Sequence, residues 1–274
     1  MSRIAVIGLV GRSMFFDVPR FHSGGETIHA TGFYEEWGGK GFNQAVAAAR
    51  QDAAVAFLGA CSADDKKAIE DFARREGVVA RMCAKKRATA CASIMTDGSG
   101  ETRVTVYPGA ELEAKDVDGF AGSIATADFL LLGNEVPEKV NLAAVDIARK
   151  YGVKIVLNPA PARRLPKGIA DAVSVFTPNE FEEASVGDVP AEVVTTLGER
   201  GCRIRSTGEV IPSPSVHAVD STGAGDTFTG VLSARLAEGE DISSACRAAV
   251  AAAAECVAAR YVIPAIPQRN SSDN

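Results

Sequence analysis

A chain of 274 residues, of which 46% are hydrophobic, can bury the core of one large domain. Its formal net charge of −6 at pH 7 leaves no basic surface to neutralise a phosphate backbone, so we exclude nucleic acid as a partner. The apolar run at residues 4–10 lacks a small-residue cleavage site and no later segment reaches the length of a membrane span. These features predict a soluble cytoplasmic protein without a membrane partner.

Short apolar runs rich in β-branched residues alternate along the chain with segments of helical periodicity. Strands are predicted at residues 4–10, 54–58, 129–132, 154–157 and 173–176, and helices at 43–50, 66–76, 140–150 and from 226 onward. This alternation is typical of an α/β fold with a mostly parallel sheet covered by helices. Residues 26–37 and 91–107 instead alternate β-branched or aromatic residues with polar ones, and we expect them to form antiparallel strands of a small lid.

Residues 38–45 form a glycine-rich turn that runs into a predicted helix directly after a lid strand. The turn is not a Walker A loop, because Lys40 stands between glycines and no Ser or Thr follows it to hold magnesium. On the glycines alone, a plain connecting turn is an equally good interpretation. Lys40 and Asn43 favour a binding surface, since they supply a cation and an amide for hydroxyl groups or phosphate oxygens.

Acidic residues follow two of the predicted strands. Glu135 and the run at 179–182 come after strand ends, where ligands bind in open α/β sheets. Acids at such positions can hold Mg²⁺, usually through water. The structural alternative for both is a helix cap with a solvated acidic face. A further turn with glycines, at 196–201, says little by itself.

Residues 220–228 join a glycine-rich turn, a helix start and a carboxylate within nine positions. The helix is predicted to begin at Gly223 and Gly225, where free backbone N–H groups can hold an anion. On helix statistics alone, Asp226 is an ordinary cap that complements the helix dipole. Beside an anion site, a carboxylate is also what phosphoryl transfer to an alcohol requires, because it accepts the hydroxyl proton.

Taken together, these blocks resemble the ribokinase-like sugar kinases, the phosphofructokinase B type family, in order and spacing. The resemblance rests on residues 38–50, 157–166 (LNPAPARRLP), 177–183 (TPNEFEE), 196–201 and 219–230, and so covers nearly the whole chain. The NPAPA and GGKG blocks are most similar to the ribokinase branch. The resemblance implies a ribokinase-like three-layer α/β/α sandwich, a single kinase domain over residues 1–274. Its lid strands, from about 12–37 and 91–107, often form a homodimer clasp in the family.

The resemblance also implies an ATP-dependent kinase for a hydroxyl of a small sugar and assigns residues to roles. Asp226 is the implied general base, and the anion hole is formed by Gly223, Ala224, Gly225 and Asp226. The implied sugar-binding residues are Gly38, Gly39, Lys40, Asn43, Glu135 and Asp226. The implied ATP-binding residues are Asn179, Thr196, Gly198, Gly201, Gly223 and Gly225. Glu182 and Asn179 match a motif that organises Mg²⁺ through water, and Asp220 with Thr222 matches a loop that binds K⁺ in relatives.

Three segments depart from the family pattern. Ser13 stands where ribokinases carry a sugar-binding Asp, and the neighbouring Arg12 offers a cation that would admit an anionic substrate. The segment 183–195 is shorter than in relatives, and residues 260–262 replace a glycine-containing turn near the implied K⁺ loop. Two alternatives therefore stay open: a nucleoside kinase of the same fold, and a non-catalytic protein that binds sugar or nucleotide.

Overall fold

The computed structural model describes residues 1–269, so the last five residues of the predicted domain lie outside the description. The strands are β1 Arg3–Ile7, β2 Gly11–Asp17, β3 Gly32–Gly38, β4 Ala54–Ser62, β5 Val78–Lys85, β6 Ala90–Thr96, β7 Thr102–Tyr107, β8 Phe129–Gly133, β9 Lys154–Asn158, β10 Val175–Phe176, β11 Glu192–Thr196, β12 Cys202–Ile204 and β13 Val210–Ile211. The helices are α1 Lys40–Ala49, α2 Lys66–Arg75, α3 Ala121–Ala125, α4 Glu138–Tyr151, α5 Lys167–Ala170, α6 Glu180–Val186, α7 Ala224–Ala237 and α8 Ile242–Cys256.

Within the described residues, nine strands form the main sheet in the order β13-β12-β11-β10-β9-β8-β1-β4-β5. All neighbours from β11 to β5 are parallel, and only β12 and β13 run antiparallel at one edge. Ile4 and Val6 of β1 join one buried cluster, whereas Ala5 and Ile7 join a second cluster on the other face. Helices therefore cover both faces, and the predicted three-layer α/β/α sandwich is confirmed.

Helices α1 and α7 pack against each other across the first of these clusters, and one glycine permits their close approach. A Cβ at Gly230 would lie 2.5 Å from the carbonyl oxygen of Gln44 and 2.6 Å from Cβ of Ala47. Any larger residue at 230 would therefore push the helices apart. This packing brings the N-terminal ends of α1 and α7 together beside the carboxyl ends of the central strands.

A second sheet, the lid, has the strand order β3-β2-β6-β7. The outer pairs, β3 with β2 and β6 with β7, are antiparallel, but the central pair β2 and β6 is parallel, with Gly11 opposite Ala90 and Asp17 opposite Thr96. The expected antiparallel strands are confirmed within each hairpin, and the two hairpins join in parallel because both leave the main body at the same end. Strand β3 also begins at Gly32 rather than at residue 26.

Most predicted elements occur within a few residues of their expected bounds. Helix α1 begins at Lys40 instead of Asn43, because its cap, Gly39, adopts a φ of 105° that ends the preceding strand. The strand predicted at 173–176 contains only Val175–Phe176. Among residues 1–269, no helix is long and apolar enough to cross a membrane.

Candidate active site

Asp226 lies in the first turn of α7 and is 6% exposed. Both of its carboxylate oxygens accept hydrogen bonds from α1: Asn43 Nδ2 donates to Oδ2 at 2.9 Å, and Gln44 Nε2 donates to Oδ1 at 3.1 Å. The cap of α7 is Gly223, in the left-handed conformation with a φ of 82°. The helix therefore begins at the predicted glycine, and its first acidic residue has a fixed orientation.

The amide network around Asp226 extends to the ends of two central strands. Gln44 Nε2 also lies 3.4 Å from Asn158 Oδ1, and Asn158 Nδ2 donates to the carbonyl oxygen of Thr177 at 2.7 Å. The hydroxyls of Thr177 and Thr229 are 3.0 Å apart, which ties β10 to α7. Gln44 and Asn158 were not among the predicted site residues. The sequence did offer a signal for both residues. Each is a side-chain amide next to apolar residues, Gln44 just after the GGKG block and Asn158 at the start of the NPAPA block.

Lys40 and Glu135 lie near Asp226 on the side of α1. Burial, and then the charge of Asp226, raises the pKa of Glu135 to about 7, against the opposing effects of Lys40 and of the backbone N–H groups of Gly41 and Lys40. The pKa of Lys40 is raised first by the charge of Asp226 and further by Glu135 and Glu182. The charges of three carboxylates from three different parts of the chain therefore act on the ammonium of Lys40.

Buried acceptors without donors mark a position for a hydroxyl-bearing molecule. Among the described residues, neither Asn43 Oδ1 nor Glu135 Oε2 has a hydrogen-bond partner. A Cβ at Gly38 would lie 2.6 Å from Ser13 Oγ and 3.7 Å from Asn43 Oδ1. Because Gly38 has no side chain, the space beside these two oxygen atoms stays open. Buried polar atoms are normally satisfied, and here a ligand with several hydroxyl groups would satisfy them.

Arg12 does not belong to this group. Side chains alternate across a strand, so Arg12 lies on the opposite face of β2 from Ser13. Its guanidinium bonds Glu35 at 2.6 Å and Asp65 at 2.7 Å and lies 4.5 Å from the ring centre of Trp37. The expectation that Arg12 would admit an anionic substrate was wrong, because carboxylates of the protein already bind it.

A cavity of about 830 Å³ lies beside the N-terminal end of α7. Four predicted nucleotide-binding residues line it, namely Thr196, Gly198, Gly201 and Gly225, together with Ala224 of the predicted anion hole. Asn179 and Gly223 do not line it, although Asn179 forms a β-bridge with Thr196. A Cβ at Gly225 would meet no atom within 4 Å, so the backbone there is open to a ligand. The volume and the mixed polar and apolar lining fit a nucleotide.

Two of the predicted site glycines have packing reasons for their identity. Gly201 has a φ of 90°, and a Cβ there would collide with the backbone of β13 at Ile211. A Cβ at Gly223 would collide with the side chain of Val262. Both positions therefore require glycine whether or not a ligand binds.

The predicted magnesium motif forms a reciprocal helix cap. Asn179 Oδ1 accepts the N–H of Glu182 at 2.8 Å, and Glu182 Oε2 accepts the N–H of Asn179 at 3.0 Å. The structural alternative is thus present, while the charge of Glu182 still acts on Lys40. In the described part of the chain, no cluster of three or more His, Cys, Asp or Glu residues could hold a metal. Mg²⁺ would therefore need phosphate oxygens and water as ligands, which it commonly takes.

The carboxylate of Asp220 in the predicted K⁺ loop holds the backbone of two segments together. Its Oδ1 accepts the N–H of Thr222 at 2.9 Å, and its Oδ2 accepts the N–H of Tyr261 at 3.2 Å. The carboxylate thus joins the turn before α7 to the segment after α8.

Comparison with known proteins agrees with this geometry. Residues 1–269 match the family model described as pfkB family carbohydrate kinase. A ribokinase from Haemophilus influenzae is 32% identical over 295 aligned residues, which cover 98% of this chain and 96% of the relative. The ribokinase structure from Thermotoga maritima has a TM-score of 0.88 at 27% identity, covering 98% and 97% of the two chains. The Arabidopsis thaliana ribokinase complexed with ribose and ATP has a TM-score of 0.85 at 25% identity, covering 98% and 96%.

The family model spans nearly the whole chain, and the relatives match it end to end. The chain therefore belongs to the pfkB family of carbohydrate kinases. The three relatives given above are ribokinases, in agreement with the similarity of the NPAPA and GGKG blocks.

Proposed function

We propose that this protein transfers the γ-phosphoryl group of ATP to a hydroxyl of a small sugar, with Asp226 as the general base. The observation that carries the proposal is the position of Asp226 between two binding surfaces. Its carboxylate is held by Asn43 and Gln44 on the sugar side, and its backbone belongs to the helix start that borders the 830 Å³ cavity. An acceptor hydroxyl and a phosphate can therefore meet at this residue.

The chemistry follows from these contacts. Asp226 Oδ1 and Oδ2 each keep a lone pair beyond the one that an amide occupies, so either oxygen can accept the hydroxyl proton as the new O–P bond forms. The N–H groups of the Gly223–Asp226 turn stabilise negative charge on the transferred group. The low exposure of Asp226, 6%, limits access of water as a competing acceptor.

The sugar-side residues fit a small compound with several hydroxyl groups. Asn43 Oδ1 and Glu135 Oε2 are acceptors for hydroxyl protons, and Lys40 is a donor to hydroxyl oxygens. ATP would occupy the cavity lined by Thr196, Gly198, Gly201 and Gly225, and the Arabidopsis relative was solved with ribose and ATP. The proposed sugar and ATP therefore approach Asp226 from opposite sides.

Two cations are part of the proposal. Mg²⁺, when bound, neutralises charge on the ATP phosphates; Glu182 would accept hydrogen bonds from its water ligands, and Asn179 Nδ2 would donate to a phosphate oxygen. K⁺ would bind at carbonyl oxygens of the Asp220–Thr222 loop, where Asp220 lowers the local potential.

We also propose that the protein forms a homodimer through the lid. Val104 and Val106 lie on one face of the lid strand β7 and are 56% and 58% exposed, and a second copy would cover these apolar side chains. Sedimentation of the wild type as a dimer, and of the Val106→Glu variant as a monomer, is the expected result. A monomeric wild type at micromolar concentration would contradict this proposal.

The test of the kinase proposal is ADP release from ATP·Mg²⁺ with a panel of pentoses, hexoses, sugar acids, sugar phosphates and nucleosides, with and without K⁺. Turnover with a sugar, lost in Asp226→Asn, is expected. Preference for a nucleoside would establish the nucleoside-kinase alternative. A silent panel combined with calorimetric binding of ATP or a sugar would overturn catalysis and support the non-catalytic alternative.

A further inference from the structure

Glu36 of the lid strand β3 contacts the segment that follows α8. Its Oε1 accepts the backbone N–H of Val262 at 3.0 Å, and its Oε2 accepts that of Ile263 at 3.1 Å. Glu36 is 7% exposed, although it is a carboxylate. The lid therefore reaches the C-terminal segment through a buried acidic side chain.

Further contacts join the same face of the lid to residues 260–263. The ring of Tyr34 stacks on Tyr261 with centres 3.9 Å apart, and Phe15 meets Tyr261 edge-on at 5.3 Å. Asp17, at the end of β2, forms an ion pair with Arg260. Phe15 and Tyr34 are directly opposite each other in the lid, on the same face as Glu36. This face of the lid is thus attached to one short segment at several points.

The other side of the same segment contacts the turn before α7. The N–H of Tyr261 donates to Asp220 Oδ2 at 3.2 Å, and Asp220 Oδ1 accepts the N–H of Thr222. The side chain of Val262 fills the position that a Cβ of Gly223 would take. Residues 261 and 262 therefore lie between the lid and the proposed anion hole and contact both.

A buried carboxylate is a costly means of holding a lid. Burial raises the pKa of Glu36 to about 7, and the charge of Asp220 raises it further, while the two N–H groups oppose the shift. Among residues 1–269, no cation forms an ion pair with Glu36. An apolar side chain would avoid the cost of burying the charge but would leave the N–H groups of Val262 and Ile263 without an acceptor, so the carboxylate is the group that joins the lid to this segment.

We propose that Glu36 is a positioning residue that couples the lid to the anion-binding turn of α7 through Val262 and Ile263. Strand β3 runs directly from Glu36 into Gly38, Gly39 and Lys40, so a shift of the strand reaches the sugar side within four residues. Phosphate binding at the turn and the position of the lid over the sugar are then one linked equilibrium. The inference rests on the proposed function, because it requires nucleotide phosphates to bind at the turn.

The single tryptophan of the chain, Trp37, makes this coupling measurable without a sugar. Trp37 follows Glu36 in β3, lies beneath Arg12 and packs against the main hydrophobic cluster, so its fluorescence reports on the position of the lid relative to the body. ADP with Mg²⁺ is titrated into the wild type and the Glu36→Ala variant, and calorimetry measures ADP binding in parallel. We expect ADP to change the emission of Trp37 in the wild type. In the variant, ADP still binds, but at least about half of the emission change is lost.

Two further variants separate coupling from general damage. Val262→Ala removes the contact with Gly223 and leaves the backbone hydrogen bonds of Glu36 in place. It should therefore reduce the Trp37 response by weakening the contact between residue 262 and the turn before α7. Glu36→Gln keeps one acceptor oxygen and should recover part of the response. Thr105→Ala, at an exposed lid position on β7, should leave the response unchanged. In the wild type, bound sugar should also lower the dissociation constant of ATP by about fivefold or more, and bound ATP should lower that of the sugar by the same factor, as is typical of coupled sites.

The outcomes distinguish this inference from the proposed function. Failure of the wild type to bind ADP would overturn the proposed function and this inference with it. Binding of ADP without a change in Trp37 emission would overturn the inference alone, and so would a full emission change in Glu36→Ala.

Discussion

Asn43 donates its side-chain amide to Asp226 across 2.9 Å, although 183 positions of sequence separate the two residues. Asn43 belongs to the helix that follows the lid, and Asp226 to the helix that begins at the proposed anion hole. This hydrogen bond joins the two halves of the site and, together with the one from Gln44, fixes the direction in which the Asp226 carboxylate faces.

Asp226→Asn is expected to lower kcat by about 10²- to 10⁴-fold, the usual contribution of a general base. Asn retains the size of the side chain but loses the charge, and its NH₂ group must face an amide donor from Asn43 or Gln44. The measurement is ADP release at saturating ATP and sugar. Asp241→Asn is the matched control, since Asp241 also caps a helix, with Oδ1 3.0 Å from the N–H of Ser244, and Asn caps equally well. Equal rates in the two variants would exclude Asp226 as the base.

Substitution of Gly223 and of Gly225 by alanine should have different effects, the first on stability and the second on the use of ATP. Gly223→Ala forces a left-handed φ on a residue with a side chain and collides with Val262, so we expect a loss of roughly 1–3 kcal/mol in the free energy of unfolding. Gly225→Ala meets no atom within 4 Å and lies inside the helix, so stability should hold or rise slightly. Its methyl group would occupy the cavity, however, and kcat/KM for ATP should fall at least about tenfold. Chemical denaturation and steady-state kinetics test both; unchanged kinetics in Gly225→Ala would place the phosphates elsewhere.

Glu135→Gln should stabilise the protein at alkaline pH while weakening sugar binding. Because burial raises the pKa of Glu135 to about 7, the unfolded chain ionises more readily than the folded one. The contribution of protonated Glu135 to the free energy of unfolding is therefore lost as the pH rises from about 4.5 to about 7. Relative to wild type, the variant should gain roughly 2–3 kcal/mol between pH 5 and pH 8. Urea denaturation at both pH values measures this gain, and a constant difference would contradict the raised pKa.

Ser13→Asp should shift substrate preference toward sugars with vicinal hydroxyls. The new carboxylate would lie beside Gly38 and Asn43 and could accept two hydroxyl protons where Ser13 offers one hydroxyl. We expect kcat/KM for D-ribose to rise about tenfold or more relative to wild type, in line with charge-assisted hydrogen bonds. Ser93→Asp is the control, because Ser93 lies on the opposite face of the lid from Ser13. A similar change in both variants would indicate a general charge effect.

The turn and helix at 220–228 could be predicted because their signals are local. Glycines, a first-turn carboxylate and apolar residues at helical spacing all lie within one short stretch, and α7 begins where they indicate. The parallel pairing of β2 with β6 could not be predicted from local patterns, since alternation identifies a strand but not its partner. The same limit applies to Gln44 and Asn158, whose contacts depend on how α1 packs on the sheet.

Glu36 shows how a site residue can be overlooked. In β3, Tyr34, Glu36 and Gly38 share one face, so an acid at 36 falls on the face turned toward the body of the protein. That charge at an inward position was the available signal. It became informative only once the partner segment at 260–263 was known, because nothing in β3 itself indicates which groups would donate hydrogen bonds to a buried carboxylate.

The parallel centre of the lid determines how it can move. Its four connections to the main body, at Gly11, Gly38, Ala90 and Tyr107, all lie at one end of the sheet, while Asp17, Gly32, Thr96 and Thr102 form the opposite end. Such a sheet behaves like a cover hinged along one side: it can swing as a rigid plate without breaking any strand pairing. The Asp17–Arg260 ion pair sits at the far side of that cover, where the displacement is greatest. It would act as a latch, the first contact to release on opening and the last to form on closing.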